Sequence, residues 1–180
     1  MKFKHIGRNV KISDKASFYN PSNISIGDYT RIDDYCVLSA GEGGIYIGNN
    51  VHIAVYSALI GKGKIEIGDF ANISSRVSIY SSNDDYSGEY MTNPTVNKQF
   101  TNVTHGKVSI GKHVIIGSGS ILLPGIRLGE GACIGSLSLI KTDCKPFCVY
   151  AGVPAKKIKE RSRNLLKLEK KYLKQVRYGR

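Results

Sequence analysis

Aliphatic residues recur along this chain at every sixth position. Ile110, Ile116, Leu122, Leu128, Ile134 and Ile140 form the longest run. The same step joins Ile6–Ile12–Phe18, Ile26–Ile32–Leu38, Ile47–Ile53–Leu59 and Ile67–Ile73–Ile79. Small residues or valine tend to follow four positions later, at Val114, Ser120, Ala132, Ser138 and Cys144. Glycine directly follows several of the aliphatics, as at Gly27, Gly48, Gly68, Gly111, Gly117, Gly129 and Gly135. A period of six matches neither a helical turn of 3.6 residues nor the two-residue alternation of a strand. It is the repeat of a parallel β-helix, in which each hexapeptide makes one short strand and one turn.

The interruptions are as regular as the repeat. Within each of six triplets the step is six, and extra residues enter only between triplets. Phe18 to Ile26 is eight, Leu38 to Ile47 nine, Leu59 to Ile67 eight, and Ile79 to Ile110 thirty-one. Three hexapeptides therefore make one coil of a triangular prism, with every insertion on one edge. The long segment over residues 80–107 projects from that edge after the fourth coil. Stacked coils bury their aliphatics in columns and satisfy each other's backbone groups. The fold class expected is all-β, a solenoid over residues 1–155, followed by a basic segment over 156–180.

Composition narrows the picture. A chain of 180 residues is one domain with room for a substantial core. It holds no apolar run near the roughly 18 residues of a membrane helix, and Met1-Lys2-Phe3-Lys4-His5 leads into the repeat without a secretory signal region. A cytoplasmic location is expected. Cys36 and Cys144 fall in the small inward slots, and no cysteine pair has zinc-finger spacing or suggests a disulfide framework. The net charge of +12 is concentrated at the end, where eleven Lys or Arg face only Glu160 and Glu169 from position 156 onward. Near-helical spacing of apolar residues predicts an amphipathic helix over 157–178, folded back on the prism or on a neighbour. No recognition motif for nucleic acid accompanies this basic tail. Its charge suits anionic cofactors and substrates, and no stable membrane insertion is expected.

The stretch from Val108 to Ile126 with its Pro124-Gly125 coil, then Leu128-Gly-Glu-Gly-Ala-Cys-Ile-Gly-Ser, then Tyr150-Ala-Gly-Val-Pro-Ala-Lys-Lys-Ile, carries a resemblance. In that order these segments resemble the hexapeptide-repeat acyltransferases of the galactoside, maltose and xenobiotic acetyltransferase group, over roughly residues 24–160. The resemblance implies a left-handed coil, a homotrimer with interfacial active sites, acetyl-CoA as co-substrate, and no metal. By position it implies that Gly117 and Ser118 line the pantetheine arm and that Ser136 contacts it one coil later. Lys141 and Thr142 match a Thr-Lys pair near the adenine, in swapped order here, while Lys156 and Lys159 match basic positions near the phosphates. Flexible ammonium groups suit that task.

Acyl transfer from a thioester needs an aligned nucleophile, a proton acceptor and a cradle for the oxyanion. The resemblance places a histidine in the long loop as proton acceptor, but this loop has Asp84 and Asp85 there. Three accounts stand. The acidic pair contacts the acceptor or takes its proton, His52 serves from another face, or His105 serves at the loop's exit. Asn83-Asp84-Asp85 is also ordinary turn chemistry. A carboxylate with a pKa near 4 is a feeble base for an alcohol but sufficient beside an amine. The acidic pair thus favours an N-acetyltransferase acting on a nucleotide-linked amino sugar, such as a dTDP-4-amino-4,6-dideoxyhexose destined for a bacterial surface polysaccharide such as lipopolysaccharide. The alternatives are sugar O-acetylation and a non-catalytic β-helix scaffold. A zinc site of converging histidines is disfavoured, because His5, His52, His105 and His113 lack paired spacing.

Overall fold

The computed structural model describes residues 2–178. The chain winds as a left-handed parallel β-helix of about seven turns, closed by one helix. Its three faces are parallel sheets, numbered here in the order the chain first meets them. Face 1 stacks Ile26, Ile47, Ile67, Ile110 and Leu128. Face 2 stacks Ile12, Ile32, Ile53, Ile73, Ile116, Ile134 and Tyr150. Face 3 stacks Phe18, Leu38, Leu59, Ile79, Leu122 and Ile140. Apart from Tyr150, these are the residues of the six-residue period, so register follows from the sequence: a slip of one residue would turn every aliphatic outward.

Corners close through the small slots. Ser57 donates from Oγ to the Ser74 carbonyl at 3.0 Å, Ser120 to that of Gly135 at 3.0 Å, and Thr30 to that of Gly48 at 2.9 Å. Cys36 and Cys144 are buried thiols, as their slots imply, and burial pushes the Cys144 thiol up to about 11. The residue at each corner apex is often left-handed, at Asn9, Tyr29, Tyr35, Asn50, Tyr56, Phe70, Arg76, His113 and Leu137, and its side chain projects from the prism. Glycine after an aliphatic has a packing reason: a Cβ at Gly117 would lie 2.4 Å from the Ser136 nitrogen of the next coil.

The long insertion leaves the edge between faces 3 and 1. Its stem is a short antiparallel pair, Ser82–Asn83 against Thr104–His105, and a 3-10 turn spans Lys98–Phe100.

The C-terminal segment differs from expectation. Instead of a helix from residue 157, Ala155–Glu160 is a strand that turns back antiparallel on Cys148–Gly152 and caps face 2. The open end of a parallel sheet presents unpaired backbone groups, and this charged strand covers them. The helix is Leu165–Tyr178. It lies on the edge between faces 1 and 2, where Glu169 accepts from His113 Nε2 at 2.9 Å and from Lys112. Tyr172 meets the Phe70 ring edge-on and donates to Asn50 Oδ1 at 3.2 Å. Arg161 ties the preceding chain to the carbonyls of His113 and Gly131, both at 2.9 Å. Among the described residues, no helix is long and apolar enough to cross a membrane.

Candidate active site

The edge between faces 2 and 3 gathers one set of expected residues. Gly117 and Ser118 form its apex in the fifth coil and Ser136 the apex in the sixth, with both serines exposed. Gly135 sits over Ala151, and Ala151 pairs with Lys156 on the capping strand, so Lys156 ends the same column. The column is therefore backbone-rich and small-residued along its length, with a cation at the foot. That suits an extended amide-bearing arm with phosphates at one end.

Other expected cofactor positions fall elsewhere. Lys141 and Thr142 are exposed on the edge between faces 3 and 1, beside Asp143, which accepts from the Arg127 backbone N–H at 2.8 Å. Lys159 pairs with Val149 on the far side of face 2. One subunit thus unites Gly117, Ser118, Ser136 and Lys156 and leaves Lys141, Thr142 and Lys159 apart from them.

The two loop carboxylates have different surroundings. Asp85 accepts from the Ser87 backbone N–H at 2.9 Å and from its hydroxyl at 2.6 Å, closing a local turn. The Ser87 hydroxyl bond holds the Asp85 carboxyl below the usual carboxylate range, with partial desolvation opposing it. Asp84 is exposed and has no hydrogen bond or ion pair among the described residues. It borders a cleft of about 590 Å³ whose other walls include Tyr80, Tyr86, Ile121, Leu123 and Leu139. Of the pair, Asp84 is the one free to meet a ligand.

Neither histidine is placed as freely. His52 lies outward on face 2, with Nε2 2.8 Å from Asp33 Oδ2 and Nδ1 3.1 Å from Asn72 Oδ1. Both ring nitrogens are engaged between coils, and the ring is remote from the loop. Burial of the Asp33 carboxyl works against its charge, yet hydrogen bonds from His52 and Arg31 pull it below the usual range. His105 contacts Ser82 Oγ through Nδ1 at 2.8 Å on the hairpin stem, and borders a second loop cleft with Lys62 and Lys98. His5 stands on face 1 and His113 under the C-terminal helix, so the four histidines occupy four separate places.

Sequence reasoning passed over the upper part of the edge between faces 2 and 3. There Lys15, Tyr35, Tyr56 and Arg76 form a ladder, with Tyr35 and Tyr56 stacked at 5.0 Å and 11°. The signal was present: these residues hold the same slot of successive coils as Ser118–Gly119 and Ser136–Leu137 do lower down. Ser74 and Ser75 share the coil of Arg76 and lie directly above Gly117 and Ser118, since Ile73 pairs with Ile116.

Comparison with known proteins adds a second line. Residues 107–142 match the bacterial transferase hexapeptide (six repeats) family. A dTDP-4-amino-4,6-dideoxy-D-glucose acyltransferase of Escherichia coli is 65% identical over 169 residues, 94% of this chain and 88% of that protein. AntD, an N-acyltransferase from Bacillus cereus solved in complex with dTDP and 3-hydroxybutyryl-CoA, is 47% identical. It superposes with a TM-score of 0.93 over 97% of this chain and 92% of its own. A serine variant of AntD, solved with dTDP-4-amino-4,6-dideoxyglucose and coenzyme A, gives a TM-score of 0.92 at 47% identity, covering 96% of this chain and 91% of its own.

Proposed function

The chain belongs to the hexapeptide-repeat acyltransferases, and from that premise we propose that it moves an acetyl group from acetyl-CoA to the 4-amino nitrogen of a dTDP-4-amino-4,6-dideoxyhexose. The observation that carries the reading is the 65% identity to an acyltransferase named for that sugar nucleotide, over a match that spans 94% of this chain. The bound ligands of AntD support it, since that relative was solved with dTDP, with the amino sugar nucleotide and with coenzyme A.

The donor lies along the edge between faces 2 and 3, its pantetheine arm against Gly117, Ser118 and Ser136, and its phosphates toward Lys156. The thioester then points up the edge toward Ser74 and Ser75. The neutral amine attacks the thioester carbon, forming the C–N bond. Collapse of the tetrahedral intermediate breaks the C–S bond and releases coenzyme A as its thiol once the ammonium proton has passed on. Asp84 orients the amine, takes that proton and passes it on to the departing sulfur. Asp85 shapes the turn that presents Asp84, and His52 fastens coils rather than moving protons. AntD was solved with substitutions at an aspartate and at a serine ten positions before it. The same spacing here joins Ser74 to Asp84 and Ser75 to Asp85, which supports a role for a serine–aspartate pair without choosing between the two.

The reading includes a homotrimer with its active sites between subunits. Closed cyclic assembly is the usual way for identical chains to share a site. Lys141, Thr142 and Lys159, remote from the main column, then serve the neighbouring groove. The enzyme acts in the cytoplasm, where acetyl-CoA is available, and its product enters a surface polysaccharide.

The test is acetyl-CoA turnover, followed by thiol release, against dTDP-4-amino sugars, UDP-4-amino sugars, 3-amino sugars and neutral glycosides. Turnover confined to the 4-amino nucleotides supports the proposal. Thiol release only with hydroxyl acceptors would replace it with O-acetylation, and the absence of any turnover or CoA binding would leave a scaffold.

A further inference from the structure

The edge between faces 1 and 2 serves neither the donor column nor the loop, and the C-terminal helix Leu165–Tyr178 runs along it. The helix turns Glu169 and Tyr172 toward the prism, where they meet His113 and Phe70. Lys167, Lys170, Lys171 and Lys174 follow the i, i+3, i+4, i+7 spacing of a single helix face. At about 100° per residue that face points away from Glu169 and Tyr172, and all four lysines are exposed. None of them is ion-paired or hydrogen-bonded among the described residues. Arg163, exposed over the Phe147 ring at 4.9 Å, adds a further cation toward the foot of the edge.

The row works against the helix that carries it. Lys167 repels Lys170 and Lys171, and Lys174 repels the same two, each across one turn. A solvated helix face ordinarily relieves such repulsion with interleaved acids. Here Glu169 is the only acid from Arg163 to Lys174, and it is turned inward onto His113 and Lys112. The repulsion has no answer among the described residues, and an anionic surface outside the molecule supplies one. Leu168 and Leu173, 56% and 41% exposed, flank the lysines on either side.

We infer that this row docks the protein, helix side down, on a bilayer that carries anionic lipids. A cluster of Lys and Arg of this size on an amphipathic helix is enough to hold a protein at such a surface. From Lys167 to Lys174 the row is about 10 Å long, so its ammonium groups reach one plane together. It contains lysine alone, with neither the guanidinium fork nor the outward aromatic rings that grip the phosphates and bases of nucleic acid. The two leucines enter the headgroup boundary beside the lysines. A helix of 14 residues with this charge lies on a bilayer and does not cross it. Docking by this edge leaves the other two edges, with the donor column and the loop, in water. In the proposed homotrimer those two edges face neighbours and this one points outward. A flat bilayer then meets one row at a time, and attachment gains nothing from copy number.

The test is co-sedimentation with vesicles of phosphatidylcholine alone and of phosphatidylcholine with about one-third phosphatidylglycerol, at low and at high salt. Wild type is expected to bind the anionic vesicles, to leave the neutral ones, and to be released as salt rises. Lys167→Gln, Lys170→Gln, Lys171→Gln and Lys174→Gln combined keep good helix formers at every position. They touch no residue of the reaction, so acetyl-CoA turnover stays at the wild-type level. This variant is expected to lose vesicle affinity on the order of a hundredfold, and Lys170→Gln with Lys174→Gln alone on the order of tenfold. The double variant decides the matter if the fourfold one does not fold, with helix content read by circular dichroism in each. Equal binding to both kinds of vesicle, or undiminished binding in the variants, would overturn the docking surface. Tighter binding of wild type to duplex DNA than to the anionic vesicles would also overturn it and assign the row to nucleic acid. Sedimentation needs no sugar acceptor, so its outcome is independent of the acyl-transfer reading.

Discussion

At the foot of the loop hairpin, Asp85 is held by both donors of Ser87, while Asp84 faces open solvent beside a cleft. The two variants therefore have different expected effects. Asp84→Asn lowers kcat/KM for the amino acceptor by about a hundredfold, within the ordinary range for a lost proton acceptor, and leaves acetyl-CoA binding intact. Asp85→Asn removes the charge from a local turn and costs only a few-fold. Equal losses from both, measured under the same conditions, would return the pair to joint employment. Asp85 also sets a pH expectation. Its folded carboxyl is depressed by Ser87, so the turn is reinforced above the ordinary aspartate range and loses that reinforcement as pH falls through the folded value. The chain's spelling alone could not separate the neighbours, because both are Asp at adjacent positions. The direction of the backbone leaving Ser82–Asn83 separates them. The same holds for His52, whose loss of freedom comes from Asp33 and Asn72, residues 19 and 20 positions away that only coil stacking brings near.

At the scale of elements, the strands were legible because each aliphatic column is a direct image of the six-residue period. Leu59 is fully buried in the middle of face 3. Leu59→Ala is expected to cost about 2–5 kcal/mol, the range for deleting a packed leucine, read as a shifted denaturant midpoint. A loss well under 1 kcal/mol would mean that the column is loosely packed. The C-terminal segment was less legible. Lys156, Lys157, Ile158 and Lys159 fit a helical stripe on paper, but the open end of face 2 offers backbone partners that an isolated helix turn cannot match. Helix formation therefore waits until Leu165. What then docks the helix is Glu169, 10% exposed, facing His113 at 11%. Burial pushes the Glu169 carboxyl up, but hydrogen bonds from His113 and Lys112 outweigh it and hold the carboxyl below the ordinary 4.5. A depressed acid stabilises above its unfolded value and ceases to as pH falls through its folded one. Protection of the amides along Leu165–Tyr178, taken against the intrinsic exchange rate at each pH, should thus fall as pH drops below the ordinary glutamate range. Glu169→Gln should bring the faster exchange to neutral pH, and unchanged protection in that variant would show that Tyr172 and Phe70 suffice to hold the helix.

For the whole molecule the decisive question is where one active site ends and the next begins. Asp84 leaves the edge between faces 3 and 1, whereas Ser118 and Ser136 stand on the edge between faces 2 and 3. The width of face 3 separates them, roughly 10 Å for a three-residue strand. In the proposed homotrimer a second prism laid alongside would bring its own loop toward the proposed donor edge of the first, and closed assembly would do so for every copy. This arrangement makes a test that monomer chemistry cannot pass. Asp84→Asn lacks the loop carboxylate, and Ser118→Tyr puts a ring into the proposed pantetheine path at an exposed corner. Each alone is expected to be severely impaired, Asp84→Asn by about a hundredfold. Co-expressed with different tags and purified through both, the mixed assemblies hold some grooves in which an intact loop faces an intact edge. Activity should then exceed the sum of the two parents. If each site lies within one chain, every groove in the mixture carries one lesion, and activity stays at that sum. Light scattering on the wild type fixes the copy number, and a stable monomer at micromolar concentration would remove the shared groove before the mixture is made.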